Sequence, residues 1–291
     1  MKDIRPPGPR RGGRIMQGPA LMPDERRPHP ARPVAPWVGG KKLLSRRLAG
    51  ILDRVEHRTY CEVFVGMAGV FLARRRQPPV EVINDASAEV ATLFRILQRH
   101  YVAFLDMMRF QLTTRAEFER LEAVDPATMT DLERAARFLY LQRTAFGGKV
   151  SKRNFGVSAE RPGRFNLTTL EPMLEDLHAR LAGVVIERLD FEECLRRYDR
   201  AETLFYLDPP YWGSEHIYGR ELFSRADYER LEAALRVLKG RFVMSINDRP
   251  ETRAMLAGFE IETAEVTYGI SRSVEAKGVR RGELIARNFR I

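Results

Sequence analysis

Cysteine is scarce in this chain, and no cluster of metal-binding residues takes its place. Only Cys61 and Cys194 occur among 291 residues, and the five histidines form no group with them. A structural zinc site needs several such residues at short spacing, so the sequence argues against one. Two cysteines without a CxxC pair are typical of a reducing compartment, which predicts a cytoplasmic protein.

Long hydrophobic runs are absent as well. No uninterrupted apolar stretch reaches the ~18 residues that a membrane helix needs, and the N-terminus has no apolar signal core. The sequence therefore predicts no membrane span and no membrane partner. A phosphate-binding loop is also missing, because Gly39-Gly40-Lys41-Lys42 lacks the upstream glycine and the Ser or Thr that follows the lysine in that motif.

The composition that remains is that of a basic globular protein. Apolar residues make up 44% of the chain, and 49 Lys and Arg against 39 Asp and Glu give a net charge of +10. A basic surface suits a polyanion, since phosphate contacts dominate sequence-independent nucleic-acid affinity. Residues 1–33 are rich in Pro, Arg and Gly without a hydrophobic period, which predicts a disordered basic tail.

Strand and helix patterns alternate from residue 37 onwards, with one interruption. Strands are predicted at 60–64, 80–83, 184–186, 204–207, 242–246, 261–268 and 284–286, and helices at 41–52, 70–74, 88–97 and 228–238. Residues 98–180 are instead largely helical and rich in arginine. We therefore predict an α/β domain formed by residues 34–97 and 181–291, and a helical basic insert formed by residues 98–180.

The first strands carry the pattern of a nucleotide-binding βαβ unit. Gly66 and Gly69 allow close backbone approach at a strand-to-helix turn, and Asp85 at the end of the second strand suits ribose hydroxyls. Trp37 beside a glycine pair can cover a cationic sulfonium. A plain tight turn explains the glycines equally well, and a core anchor explains Trp37.

The most informative stretch is Asp208-Pro209-Pro210-Tyr211, which follows the apolar run 203–207. Proline fixes φ and removes the backbone N–H, so a carboxylate and two prolines after a buried strand form a rigid ledge with outward-facing carbonyls. An acceptor carboxylate, carbonyl oxygens and an aromatic face together suit a flat ring that carries an amine. Asp and Pro are also ordinary turn residues, so a strand-ending turn is the alternative.

Such a ledge fits methyl transfer to a base amine. The exocyclic amine of adenine or cytosine is a poor nucleophile, because its lone pair is delocalised into the ring. Acceptors at its two N–H bonds, here Asp208 and the Pro209 carbonyl, favour a pyramidal nitrogen and free that lone pair. Tyr211 can stack on the ring, a contact worth about 1–3 kcal/mol per base.

Several motifs, taken in order, resemble the Dam-like DNA adenine methyltransferases from about residue 34 to the C-terminus. They are Trp37-Val38-Gly39-Gly40-Lys41, Glu62-Val63-Phe64-Val65-Gly66, Asn84-Asp85, Phe146-Gly147-Gly148, Arg164-Phe165-Asn166, the catalytic tetrapeptide, Ser245-Ile246-Asn247-Asp248 and Tyr268-Gly269-Ile270-Ser271. A set of ordered motifs is much more specific than any one of them.

The resemblance implies a Rossmann-like methyltransferase sheet with a mainly helical inserted target-recognition domain. It also implies S-adenosyl-L-methionine as methyl donor and adenine N6 in double-stranded DNA as acceptor, and it leaves room for a restriction endonuclease partner or a phage origin. The catalytic residues would be Asp208, Pro209, Pro210 and Tyr211, with Tyr218 and Phe223 on a loop that closes over the base. The cofactor pocket would be lined by Trp37, Gly39, Gly40, Lys41, Phe64, Gly66, Gly69, Asp85, Asp190 and Phe191.

The insert is expected to engage DNA, because a target base has to swing out of the duplex at a cost of a few kcal/mol. Candidate contacts are Arg143, Lys149, Lys152, Arg153, Asn154, Arg161, Arg164 and Asn166, with the cations facing phosphates and the asparagines facing base edges. A solvated basic loop is the alternative for each residue. Pro36 replaces a lysine that helps GATC-reading relatives to contact DNA, so GATC is not predicted as the target.

Two other functions stay open at the level of sequence. Similar tetrapeptides serve other planar amines, so cytosine N4 or an RNA adenine is an alternative acceptor. A catalytically silent DNA-binding relative of a methyltransferase is the second alternative, and cofactor binding without methyl transfer would favour it.

Overall fold

The computed structural model describes residues 31–41, 44–146, 153–156, 163, 165–217, 222–267 and 280–290. Within these ranges, seven strands form a single sheet. The strands are β1 (Thr59–Glu62), β2 (Val80–Asn84), β3 (Val185–Glu187), β4 (Thr203–Leu207), β5 (Arg241–Asn247), β6 (Glu260–Thr267) and β7 (Arg280–Arg287). Each predicted strand overlaps an observed one, and the predicted α/β class is confirmed.

The strand order is β3-β2-β1-β4-β5-β7-β6, as expected for a Rossmann-like methyltransferase sheet. Strands β1 to β5 are parallel, and β7 runs antiparallel to both of its neighbours. The chain builds outward from β1 through β2 to β3 and then returns to the other side of β1 as β4. Such a reversal opens a crevice at the carboxyl ends of the strands, where ligands of open α/β sheets bind.

Alternate side chains of the strands contribute to two hydrophobic clusters, one on each face of the sheet. In β4, Leu204 and Tyr206 belong to one cluster, whereas Phe205 and Leu207 belong to the other. All five residues of β4 are buried. This is typical of a central parallel strand that helices cover on both faces, and it places the core directly beneath the crevice.

The described part of the chain contains nine α-helices around this sheet. They are α1 (Ser45–Leu52), α2 (Ala88–Arg99), α3 (Tyr101–Met108), α4 (Arg115–Ala123), α5 (Asp131–Thr144), α6 (Leu167–Arg180), α7 (Phe191–Tyr198), α8 (Asp227–Val237) and α9 (Pro250–Met255). Phe104 of α3 and Phe138 of α5 belong to the same buried cluster as Leu204. The helical segment between α2 and β3 therefore shares its core with one face of the sheet. The proposed boundaries of an insert at 98 and 180 stay a prediction.

The helix predicted at 70–74 is wrong in type and length. Only a single 3-10 turn forms there, Phe71–Ala73, and Arg74 is already extended with φ −71° and ψ 144°. The buried Arg74 guanidinium lies 3.4 Å from the centroid of the Tyr60 ring and donates a 3.1 Å hydrogen bond to Glu81. These contacts draw the chain out of helical conformation, so the glycine turn is followed by a short 3-10 turn and not by the predicted helix at 70–74.

Candidate active site

The Asp208-Pro209-Pro210-Tyr211 motif directly follows β4 at the carboxyl edge of the sheet. Its neighbour on one side is the end of β1, where Glu62 lies opposite Tyr206. The motif thus borders the crevice at which the strand order reverses. This position is what a reactive motif in an open α/β sheet requires.

Four polar side chains form a row on one face of the sheet at this edge. The alternation of the strands places Glu62 of β1, Asp208 after β4, Ser245 of β5 and Glu283 of β7 on the face that carries Tyr206. The Ser245 hydroxyl hydrogen-bonds to the Asp208 carboxylate and lies 2.7 Å from the Tyr206 hydroxyl. Adjacent strands therefore supply a continuous polar surface above an otherwise apolar core.

Lys41 places a buried ammonium against this row. Its Nζ lies 2.6 Å from Asp208 Oδ1 and 2.9 Å from Glu283 Oε1, and it donates a 2.7 Å hydrogen bond to the Tyr211 hydroxyl. Lys41 is only 4% exposed and Glu283 only 1%. A buried ion pair with this geometry offsets part of its desolvation cost and fixes the atoms that take part in it.

Burial raises the pKa of the Asp208 carboxyl to about 6, although the charge of Lys41 and the Ser245 hydrogen bond oppose this rise. Burial would lower the pKa of Lys41, but the charges of Asp208 and Glu283 outweigh it and raise that pKa overall. At neutral pH the pair is therefore a carboxylate and an ammonium. The carboxylate is more basic than a solvated aspartate, which makes it a stronger hydrogen-bond acceptor.

Glu62, in the same row, has a carboxyl group whose pKa is raised further than that of Asp208. Burial raises its pKa to about 8, while a hydrogen bond from Tyr60 and the charge of Arg74 lower it only in part. The Tyr60 hydroxyl donates to Glu62 Oε2 at 2.6 Å. The site thus holds one ionised and one protonated carboxyl side by side at neutral pH.

Two side chains fix the backbone of the loop that follows β4. The Tyr228 hydroxyl of α8 donates to the Pro210 carbonyl at 2.8 Å. Asn247 at the end of β5 accepts a 3.0 Å hydrogen bond from the Trp212 N–H and donates a 3.1 Å hydrogen bond to the Trp212 carbonyl. The loop after β4 is therefore held from two directions.

Trp37 packs onto the glycine turn that follows β1. Gly66 has φ +49°, and a Cβ built there would lie 2.6 Å from Trp37 Nε1. The tryptophan is itself held against Phe138 of α5, with ring centroids 6.3 Å apart, and Gly40 donates to its carbonyl at 3.1 Å. Glycine is needed at position 66 both for its backbone conformation and for this contact. A Cβ at Gly69 would meet open space instead.

Asp85 closes the turn from the end of β2. Its carboxylate accepts hydrogen bonds from the N–H groups of Gly66 and Ser87, both at 2.9 Å. Burial raises its pKa to about 6, and these two hydrogen bonds lower it. A carboxylate has about four acceptor positions, so two backbone donors leave capacity for hydroxyl groups of a ligand.

The Asp190-Phe191 pair lies at the start of α7. Asp190 caps this helix by accepting from the Glu192 N–H at 3.0 Å, and Arg230 donates to it at 2.8 Å. Phe191 is 3% exposed. Its ring stacks on that of Phe64 at 5.9 Å, with Phe223 5.7 Å away. Phe64 is half-buried and follows β1 at the carboxyl edge of the sheet, so this aromatic cluster borders the crevice.

Two of the predicted DNA cations have partners within the protein. Arg143 is half-buried and donates to the Val34 carbonyl at 2.6 Å, and Arg153 pairs with Glu122 at 3.2 Å. The structure gives both a role in holding the chain together, which the sequence did not indicate. Lys149, Lys152, Arg161 and Arg164 lie outside the described residues, as does Tyr218.

Both predicted base-contacting asparagines are exposed. Asn154 precedes Phe155, which packs against Phe118 at 5.4 Å. Asn166 caps α6 by accepting a hydrogen bond from the Thr168 N–H at 3.0 Å. Asn166 therefore keeps its amide N–H₂ group on the surface while its oxygen is used by the helix.

Sequence reasoning assigned no role to the side chains that hold Lys41 and the loop after β4. They are Tyr228, Ser245, Asn247 and Glu283. One signal was available for Glu283, because it is a charged residue at the start of the buried run Leu284-Ile285-Ala286. A charge beside such a run is expected to be paired.

Within the described residues no helix is long and apolar enough to cross a membrane. The same residues contain no group of three or more His, Cys, Asp or Glu placed to hold a metal ion. The polar row is thus the main chemical feature of the crevice.

Comparison with known proteins shows which family this chain belongs to. The chain is similar to type II methyltransferase M.CviBI of Paramecium bursaria Chlorella virus NC1A, with 24% identity over 78% of this chain and 87% of that protein. It is 27% identical to type II methyltransferase M1.LlaDCHI of Lactococcus lactis subsp. cremoris, over 89% of this chain and 95% of that protein. It is also 27% identical to the DNA N-6-adenine-methyltransferase of Escherichia phage P1, over 89% of this chain but 36% of that protein.

Among solved structures, the precorrin 8w decarboxylase of Methanobacterium thermoautotrophicum aligns with a TM-score of 0.37 and 13% identity, over 89% of this chain and 95% of that one. This likeness is too low to support an inference. The model of the D12 class of N6 adenine-specific DNA methyltransferases, in contrast, matches residues 37–270. The chain therefore belongs to this D12 class, enzymes that methylate the N6 amine of adenine in DNA.

Proposed function

We propose that S-adenosyl-L-methionine binds in the crevice at the ends of β1, β2 and β4 and that the Asp208 motif holds the target adenine beside it. The residues of the donor site would be Trp37, Gly39, Gly40, Lys41, Phe64, Gly66, Gly69, Asp85, Asp190 and Phe191. Two observations support the fit. A side chain at Gly69 would enter open space, and Asp85 retains acceptor capacity for hydroxyl groups.

Three residues of the motif would act on the base. S-adenosyl-L-methionine supplies an already activated methyl group, so the protein needs no strong general base. Asp208 and the Pro209 carbonyl accept hydrogen bonds from the N6 amine, and Tyr211 stacks on the ring. Pro210 presents its carbonyl to Tyr228 instead. That contact orients the loop so that the Pro209 carbonyl can face the base.

Lys41 would serve this reaction by keeping Asp208 ionised. Its charge lowers the pKa of Asp208 against the effect of burial. A protonated Asp208 would lose acceptor strength at the amine. The buried contact of 2.6 Å between Lys41 and Asp208 is the observation that carries the proposal.

The target adenine must leave the duplex to reach this site. We propose that the segment 98–180 engages the DNA, with Asn154 and Asn166 as surface contacts and Lys149, Lys152, Arg161 and Arg164 as phosphate contacts. Arg143 and Arg153 would support this surface through their partners in the protein. A restriction endonuclease partner and a cytoplasmic location stay predictions.

The proposal is tested by following isotope-labelled methyl groups from S-adenosyl-L-methionine into DNA and RNA. Mass spectrometry of the nucleosides is expected to show N6-methyladenine from DNA. Asp208→Ala is expected to abolish it while cofactor binding, measured by calorimetry, stays mostly intact. Glu232→Ala, which removes a surface carboxylate paired with Arg236 on α8, serves as the control and should keep full activity. Label only in cytosine or RNA, or an active Asp208→Ala variant, would contradict the proposal.

A further inference from the structure

Glu283 is a carboxylate buried within β7, directly before an apolar run. It follows Gly282 in β7, and the next three residues of that strand are buried in the two cores. Its backbone is fixed by antiparallel pairing, with Asn247 of β5 directly opposite. A Cβ added at Gly282 would lie 2.9 Å from the Asp248 Cβ, so the two strands approach closely at this point. Glu283 therefore reaches the crevice from a rigid support.

The carboxylate completes the surroundings of Lys41. An ammonium has three N–H donors, and three oxygens surround this one: Asp208 Oδ1 at 2.6 Å, Tyr211 OH at 2.7 Å and Glu283 Oε1 at 2.9 Å. Lys41 belongs to no helix or strand, because α1 begins only at Ser45. Its carbonyl accepts from the N–H groups of Leu44 and Ser45, while the three side-chain contacts set the position of its ammonium. Two of the oxygens belong to the catalytic motif, and the third comes from the far end of the chain.

We propose that Glu283 is a positioning residue of the methyl transfer, which acts through Lys41 on Asp208 and Tyr211. This inference rests on the function proposed for the Asp208 motif. Glu283 shares the ammonium with Asp208, so the charge of Asp208 is only partly neutralised and stays available to an amine donor. It also holds the ammonium at the Tyr211 hydroxyl, which fixes the ring against which the base would stack. Glu283 itself contacts neither substrate.

The electrostatic consequence has a definite sign. The titratable groups that face Asp208 are Lys41, Glu62, Tyr206, Tyr211 and Glu283. Among them Lys41 lowers the pKa of Asp208, and Glu283 raises it. Removing the charge of Glu283 should therefore lower that pKa, whereas removing the charge of Lys41 should raise it. A residue that only filled space would produce neither shift.

The test is a pH profile of the single-turnover methylation rate, with enzyme in excess over DNA and S-adenosyl-L-methionine at saturation. Glu283→Gln is expected to lower the rate about ten- to hundredfold and to move the midpoint of the acidic limb to lower pH. Lys41→Gln should move the midpoint the other way. Glu283→Asp keeps the charge but is one methylene shorter, so it should lower the rate while the midpoint stays close to that of the wild type. Glu262→Gln on the adjacent strand β6, where the carboxylate pairs with Arg287, is the matched control and should leave the profile unchanged.

Two results would overturn the inference. One is a wild-type rate in Glu283→Gln. The other is an equal loss of rate at every pH with an unmoved midpoint, together with a lower melting temperature, which is the signature of a purely structural residue. Asp208→Ala is measured in parallel. If it is active, the proposed function fails as well; if it is inactive while Glu283→Gln behaves as the wild type, only the inference fails.

Discussion

Asp208 has to remain ionised to accept a hydrogen bond from an amine, and its surroundings bring its protonation close to neutral pH. Because its pKa is raised to about 6, we expect kcat/KM for methylation to rise with pH through about 6 and to level off above it. The acidic limb of kcat/KM reports groups of the free enzyme. Initial rates at limiting DNA between pH 5 and 8 measure this midpoint. A midpoint near 4, as for a solvated aspartate, would show that burial does not control this carboxyl.

Glu62 should make the protein less stable as the pH rises. Its pKa is about 8 in the folded protein against 4.5 in the unfolded chain. The folded state therefore holds a proton that the unfolded state has lost, and stability decreases between about pH 4.5 and 8. Glu62→Gln cannot ionise and keeps an oxygen for the Tyr60 hydroxyl. The wild type should therefore lose stability relative to this variant as pH increases across this window. We expect the difference between their free energies of unfolding to change by the order of a few kcal/mol.

Urea unfolding at pH 5.5 and pH 8.5 measures that difference. The control is Glu133→Gln, at the start of α5. The pKa of Glu133 is lowered by hydrogen bonds from Thr130, so its carboxylate is ionised in both states over this range. Its stability difference from the wild type should therefore be the same at both pH values. If the stability difference between Glu62→Gln and the wild type is also the same at both pH values, Glu62 is ionised in the folded protein.

At the scale of elements, the turn after β1 depends on a single close approach. Gly66→Ala would place a Cβ at 2.6 Å from Trp37 Nε1 in a residue with φ +49°. We expect a loss of about 1–3 kcal/mol in stability, because the residue must leave a strained conformation or displace the indole. Weaker S-adenosyl-L-methionine binding should accompany it. Gly50→Ala, inside α1 with open space around it, is the matched control and should be neutral or stabilising. Denaturant unfolding and calorimetry measure both effects, and equal behaviour of the two variants would contradict the role given to Trp37.

Asn247 at the end of β5 holds the loop that follows β4. Asn247→Ala removes both hydrogen bonds to the Trp212 backbone. We expect the single-turnover rate to fall about tenfold or more, since small displacements of reacting groups are costly, while S-adenosyl-L-methionine still binds.

A matched asparagine lies after β7. Asn288 accepts from the Phe242 N–H and donates to the Gly240 carbonyl, away from the crevice. Asn288→Ala should lower the melting temperature but leave the rate per folded molecule unchanged. If Asn247→Ala, like Asn288→Ala, lowers the melting temperature but leaves the rate per folded molecule unchanged, the loop is held by contacts other than those of Asn247.

At the scale of the whole molecule, the net charge of +10 governs the encounter with DNA. We expect the logarithm of the DNA association constant to fall linearly with the logarithm of the salt concentration, because each phosphate contact releases counterions. Fluorescence anisotropy with a labelled duplex between 50 and 300 mM salt, approximate limits chosen to span that dependence, measures the slope. Binding of S-adenosyl-L-methionine over the same range is the control and should change little. A flat DNA response would indicate recognition without phosphate contacts.

Much of this molecule follows from local sequence. The apolar run 203–207 forms a buried strand, and the prolines after it end that strand at the crevice, because both effects depend only on neighbouring residues. The helix at 70–74 was the local prediction that was wrong, since the buried contacts of Arg74 with Tyr60 and Glu81 override its helical pattern. Propensity decides an element only where tertiary contacts do not oppose it.

The sequence by itself determined the α/β class, the family and the place of the Asp208 motif at a strand end. Hydrophobic periodicity, motifs and their order along the chain can all be read without the tertiary structure. Only the tertiary structure decided that Lys41 and Glu283, from opposite ends of the chain, meet at Asp208. It also decided that Arg143 and Arg153 bind the protein's own atoms. The contact of Glu283 with Lys41 depends on the position of β7 between β5 and β6. That position is set by the antiparallel pairing of β7 with both neighbours and by the burial of Leu284, Ile285 and Ala286, and no local pattern encodes the order of strands in a sheet.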